Sequence, residues 1–104
     1  ANADRIEAEM RLQRIRTQID AEVAITREEL AQAIRQVELN ETRAALAQEN
    51  QRLLAKAYDL GELDLAARLR AEAEHFDADL AASRARLERA RAISRLNQSL
   101  GKMP

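Results

Sequence analysis

The 104-residue chain contains no cysteine and no tryptophan, one tyrosine, one phenylalanine, two glycines and one proline. Without cysteine there is no thiol nucleophile, and cytosol and periplasm suit the chain equally well. With so few aromatics it lacks the bulky residues on which an ordinary globular core of this size draws. No stretch of about 18 apolar residues occurs, so none of these residues spans a membrane as a helix. No secretory signal is present, although a mature protein or a fragment would have lost one. The formal net charge is −1, and no basic cluster stands free of acidic neighbours. Nucleic acid is therefore not expected as a partner. There is no glycine-rich phosphate loop and no Ser/His/Asp constellation. The chain reads as a non-enzyme that needs no cofactor.

What is abundant is alanine, with 22 residues, and charge, at 34 % of the chain. That composition predicts long helices packed closely side by side, in one domain at most. The fold class is all-α: a long, antiparallel, coiled-coil-like helical hairpin with two unequal arms.

From Asp4 to Asp59 nothing interrupts a helix. Ile19, Val23, Thr26, Leu30, Ala33, Val37, Ala44, Ala47, Leu54 and Tyr58 recur at alternating spacings of four and three, with Asn40 and Gln51 as polar interruptions. This is the seam of a helix packed along another. A second line, Ile25, Leu39, Leu46, Leu53 and Leu60, repeats every seven residues with a gap at Gln32. It lies roughly 100–160° around the helix from the first, so a neighbour is expected on each side. Further along, Ala66, Leu69, Ala73, Phe76, Leu80, Ser83, Leu87 and Ala90 read as the seam of a second helix. Ala71, Ala78, Ala85 and Ala92 form a column near its opposite side. That column either admits a second neighbour closely or only reflects alanine's helix propensity on a solvated face.

Between these patterns lies KAYDLGELDLAARL, residues 56 to 69, with Gly61 the first glycine of the chain. Gly61 suits the left-handed residue that ends a helix. Asp64 suits the N-cap of the next, with Leu60 and Leu63 covering the bend. The expected elements are a helix over about 4–59, a tip turn over 60–63 and a helix over about 64–100. The first arm is about 84 Å long and the second about 55 Å at 1.5 Å per residue. An overhang near Ile6 to Ile19 therefore has no partner within the chain. Two helices bury little surface, which predicts a piece of a larger helical assembly or an obligate oligomer.

Glu72 and His75 form a Glu-x-x-His spacing, with Asp79 one turn beyond. Such a spacing occurs in di-metal bundles, but those need a second Glu-x-x-His and carboxylates from facing helices, which are not visible. A solvated polar face is the preferred account. Membrane-surface binding is disfavoured, because the polar faces mix both charges and the apolar seams are narrow.

The stretch AYDLGELDLAARLRAEAE, followed about thirty residues later by RLNQSLGKMP, resembles the periplasmic helices in the C-terminal half of TolC-type outer-membrane efflux proteins. The heavy-metal and cation efflux branch is nearest. The likeness rests on Tyr58, Leu60 and Gly61 at the turn, the leucine-rich start of the returning helix, and the ending Leu96-Asn97-Gln98-x-Leu100-Gly101. The first helix matches only in length and heptad character.

The resemblance implies a trimer whose outer-membrane β-barrel continues as a barrel of helices across the periplasm. It implies that the hairpin tip forms the closing aperture and meets a periplasmic membrane-fusion adaptor, with an inner-membrane transporter as an indirect partner. Leu60, Gly61, Glu62, Leu63 and Asp64 would be the docking tip, and Tyr58 a gating residue. Leu63 stands where the best-known member has an arginine of the gate, and Ala67 and Arg70 stand where it has aspartates. The polar lock and acidic ring are therefore not carried over. An Arg70 facing the lumen would make a basic ring, opposed to cation blockage. The alternatives are the α-hairpin of the adaptor itself, disfavoured by the LNQSLG ending, and an unrelated tethering coiled coil, which would need only one seam.

Overall fold

The computed structural model describes residues 1–103. Pro104, which closes the second quoted motif, lies outside them. The described residues form two helices, α1 (Asn2–Asp59) and α2 (Leu65–Leu100), and no strand. The fold is the expected all-α helical hairpin. Its first helix begins two residues earlier than the pattern predicts, and its second begins one residue later. Long runs of alanine, leucine, glutamate, glutamine and arginine account for both helices, since these residues lose little freedom in helical backbone. The chain divides into two compact units, Ala33–Arg89 and Ala1–Gln32 together with the residues from Ala90 onward.

In the Ala33–Arg89 unit, Glu41 pairs with Arg86 and Asp59 with Arg68. Partner numbers rise on one helix as they fall on the other, so the two run antiparallel. Val37 and Ala44 are buried on α1, with Ala33, Ala47, Leu54 and Tyr58 half-buried on the same face, as the four-three spacing predicts. Asn40 and Gln51 are half-buried with them, polar members of the same seam.

On α2 the expectation is inverted. Leu69, Phe76, Leu80 and Leu87, read as the seam, are exposed, and Ala66, Ala73 and Ser83 are exposed with them. The alanine column, assigned to the opposite side, is what faces α1: Ala71, Ala78 and Ala85 are buried, joined by Ala82. Ala44, Ala78 and Ala82 form the core cluster, with Ala47 against it. Methyl-sized side chains let two helix axes approach more closely than leucines do. The bulky residues are left for the outside.

In the other unit, Glu29 pairs with Arg95 and Glu22 with Lys102, again in antiparallel order. Val23 and Thr26 are buried on α1, and Ala92 and Ser99 on α2. The Thr26 hydroxyl donates to the backbone carbonyls of Glu22 and Val23, which satisfies it without a partner across the interface. Ala90, the last residue assigned to the α2 seam, is exposed. Towards the N-terminus Ile6, Met10, Leu12 and Ile15 stand exposed, and a shallow groove runs along Ala3, Ile6, Met10 and Arg14.

Candidate functional site

The turn is built from local chemistry alone. Gly61 has φ of +76°, the left-handed region that L-residues rarely adopt. The Glu62 N–H donates to the Ala57 carbonyl and the Gly61 N–H to the Tyr58 carbonyl, each at 2.9 Å. This 6→1, 5→2 pair is a Schellman motif, which satisfies carbonyls that the helix end would otherwise leave open. At the start of α2, the Asp64 carboxylate accepts from the Ala67 N–H at 2.9 Å, the N-cap bond expected of it. Leu63 is half-buried, but Leu60 is 68 % exposed and does not cover the bend. With Glu62 exposed beside it, the tip presents a leucine and a carboxylate to solvent.

Behind the turn, Tyr58 is half-buried and carries the Arg68 guanidinium 4.8 Å from its ring centroid. Arg68 also bonds Asp59 at 3.2 Å and Glu72 at 3.4 Å. The sequence reading passed over Arg68. The signal was there, an arginine level with the last turn of α1 across a tight reversal, but an isolated basic residue in a mixed-charge chain draws no notice. Arg70 is exposed, and among the described residues it has no ion-pair partner.

Glu72, His75 and Asp79 do not converge on one point. Glu72 turns to Arg68, whereas His75 Nε2 lies 3.5 Å from Asp79 and its buried Nδ1 has no hydrogen-bond partner. Among the described residues no group of three or more carboxylate or histidine side chains is placed to hold a metal ion. No helix among them is long and apolar enough to cross a membrane.

Both helices of the Ala33–Arg89 unit expose large apolar side chains. In the Ala33–Arg89 unit α1 exposes Leu39, Leu46 (67 %), Leu53 and Leu60, and α2 exposes Leu65, Leu69, Phe76 (67 %), Leu80 and Leu87. Single exposed leucines are ordinary, whereas continuous lines of them mark contact surfaces. The two lines do not share a side. Glu41 and Arg86 meet on one flank of the helix pair, and a groove along Gln36, Asn40, Arg84 and Glu88 runs on the other. At about 100° per residue, the α1 line stands about 130° from its seam, on the groove flank. Leu69 and Phe76 stand about 130° around α2 towards the Glu41–Arg86 flank, with Leu80 and Leu87 on its back.

The lines match in height at two places. Tyr58 is level with Arg68, and Glu41 with Arg86. Counting down one helix while counting up the other sets Leu39 level with Leu87, Leu46 with Leu80 and Leu53 with Ala73.

No family model, no curated protein and no solved structure matches this chain.

Proposed function

We propose that this hairpin is a stave in the wall of a helical tunnel, the periplasmic segment of an outer-membrane efflux channel. The observation that carries the reading is the pair of outward-facing apolar lines, one on each helix, in which Leu39 is level with Leu87 and Leu46 with Leu80. A surface of that kind pairs unlike faces, the α1 line of one copy against the α2 line of the next. Repetition of such a head-to-tail contact closes into a ring when the rotation permits. Because Leu39 and Leu46 match Leu87 and Leu80 without axial displacement, copies joined there stay level and a ring is favoured over a filament. A two-stranded tether would use the alanine seam and leave both outer lines without purpose.

In this reading the protein makes and breaks no bond. It encloses a water-filled path, and its exposed tip, with Leu60 and Glu62, meets the adaptor of a tripartite pump. The substrate is selected elsewhere in such a pump. The turn motif and the LNQSLG ending support the efflux-channel assignment by resemblance, and a trimeric parent channel is its corollary.

The test uses the absence of native cysteine. Leu46→Cys and Leu80→Cys placed together in one chain stand on the groove flank of α1 and on the back of α2, facing away from each other, so an internal disulfide is out of reach. Oxidation of the double variant is expected to give a ladder ending in one closed species of fixed copy number. Each single variant is expected to give dimers at most. A double variant that yields no more than the single ones overturns the wall. Docking is tested separately: Glu62→Lys is expected to leave melting unchanged and to weaken capture of the adaptor by the intact channel.

A further inference from the structure

The turn and the alanine seam are joined by one side chain. We infer that Arg68 is a positioning residue that latches the hairpin tip. It clamps the last turn of α1 to the second turn of α2, and this latch can be released by salt while the seam below stays closed.

The geometry has three parts. The guanidinium stacks over the Tyr58 ring at 4.8 Å, so one planar face is covered by an aromatic quadrupole. Nη1 reaches Asp59 on the same turn of α1, and Nε reaches Glu72 one turn along α2. The Arg68 side chain is only 29 % exposed, whereas Asp59 is 69 % exposed. The cation is therefore sheltered by the ring and drawn to carboxylates that water reaches. An arginine can do all three at once because its planar fork stacks and donates along separate directions.

Among the described residues no other ion pair joins the two helices at this level. The nearest buried seam residue of α2 is Ala71, too short to bridge. The Schellman and N-cap bonds hold the turn to each helix separately. With Arg68 removed, each helix end keeps its cap, but the pair has no charged tie near the tip. Screening weakens such partly exposed attractions and leaves apolar packing in place. The latch belongs to a single chain, and it holds whether or not the hairpins assemble into a wall.

Amide hydrogen exchange on the 104-residue chain tests this, read at Gly61 and Glu62 and compared with Val37 and Ala44 in the seam. Arg68→Ala is expected to speed exchange at the two tip amides about threefold to thirtyfold, the span of a cation–π contact plus partly exposed ion pairs, with the seam amides unchanged. Arg68→Lys keeps the charge without the flat stack and is expected to recover less than half of that protection. Adding about 1 M NaCl, where the screening length falls to about 3 Å, should loosen the tip of the parent chain and leave the Arg68→Ala tip no looser. Tyr58 is the only tyrosine in a chain without tryptophan, so its fluorescence anisotropy should fall in step. Equal acceleration at tip and seam, full recovery by lysine, or a tip indifferent to salt each overturns the latch.

Discussion

Ala82 of α2 packs against Ala44 of α1, in a core cluster made only of alanine. The hairpin is held at its centre by its smallest side chains, and the larger ones stand outside. The core of the chain and its exposed apolar lines are thus separate sets of residues, and substitution can address each alone.

Ala82 is 1 % exposed, with no space set aside for a longer side chain. Ala82→Leu is expected to force the helices apart and to lower unfolding stability by about 1–3 kcal/mol. Phe76→Ser, at a side chain 67 % exposed, should leave chain stability within about 0.5 kcal/mol while abolishing lateral association. Urea unfolding at fixed chain concentration, beside light scattering, separates the two. A larger stability loss at Phe76 than at Ala82 would reverse the assignment of the faces.

At Gly61 the difficulty of substitution is conformational and not spatial. A Cβ built there meets no atom within 4 Å, yet φ is +76°. Gly61→Ala is expected to cost about 1 kcal/mol, and Gly61→Val more, since a β-branched residue tolerates this region worst. A D-alanine introduced by chemical ligation, which favours positive φ, should match or exceed glycine in melting temperature. A D-alanine chain that melts below the L-alanine chain would show that space, and not backbone strain, decides the position.

Asp64 should be replaceable by asparagine or serine with little loss, because each offers an oxygen to the Ala67 N–H. Asp64→Ala removes the only side-chain cap at the start of α2 and is expected to cost about 1 kcal/mol. Circular dichroism melts of the three variants give the comparison.

The first helix was legible because its seam carries isobutyl and isopropyl groups on a strict heptad, from Val23 through Val37 to Leu54. Gly61 and Asp64 were legible because turn and cap chemistry is local and needs no knowledge of neighbours. The second seam was misread because size was taken as the guide to burial. Leu69 and Phe76 outrank Ala71 and Ala78 in apolar area, and in a chain packing only on itself they would have been buried. Here close approach of two helices across a short turn selects the smaller face. The basic partners Arg86, Arg95 and Lys102 were invisible for another reason. Which cation meets which carboxylate depends on the register between helices, and register follows from the face chosen.

Glu49 and Arg52 form a surface pair with the closest contact at 2.6 Å. The hydrogen bond from Arg52 holds the Glu49 carboxyl below its ordinary value, against an opposing desolvation and with a smaller contribution from the charge of the same group. A depressed folded value means that whatever stability the pair adds is present above the unfolded carboxylate range and is lost as pH falls through the folded midpoint. Carbon-detected titration of Glu49 should show the low midpoint, and Arg52→Gln should return it to that of an unpaired glutamate. An unchanged midpoint in the variant would remove Arg52 as the cause.

Four cross-helix ion pairs share one polarity: Glu22, Glu29, Glu41 and Asp59 lie on the first helix, and Lys102, Arg95, Arg86 and Arg68 on the second. Two copies that tried to zip first helix to first helix would confront acid with acid along those edges. An exchange of arms between copies would instead preserve every one of these attractions. Mispaired chains of this protein are therefore steered towards swapped hairpins, and deletion of residues from the turn should populate them.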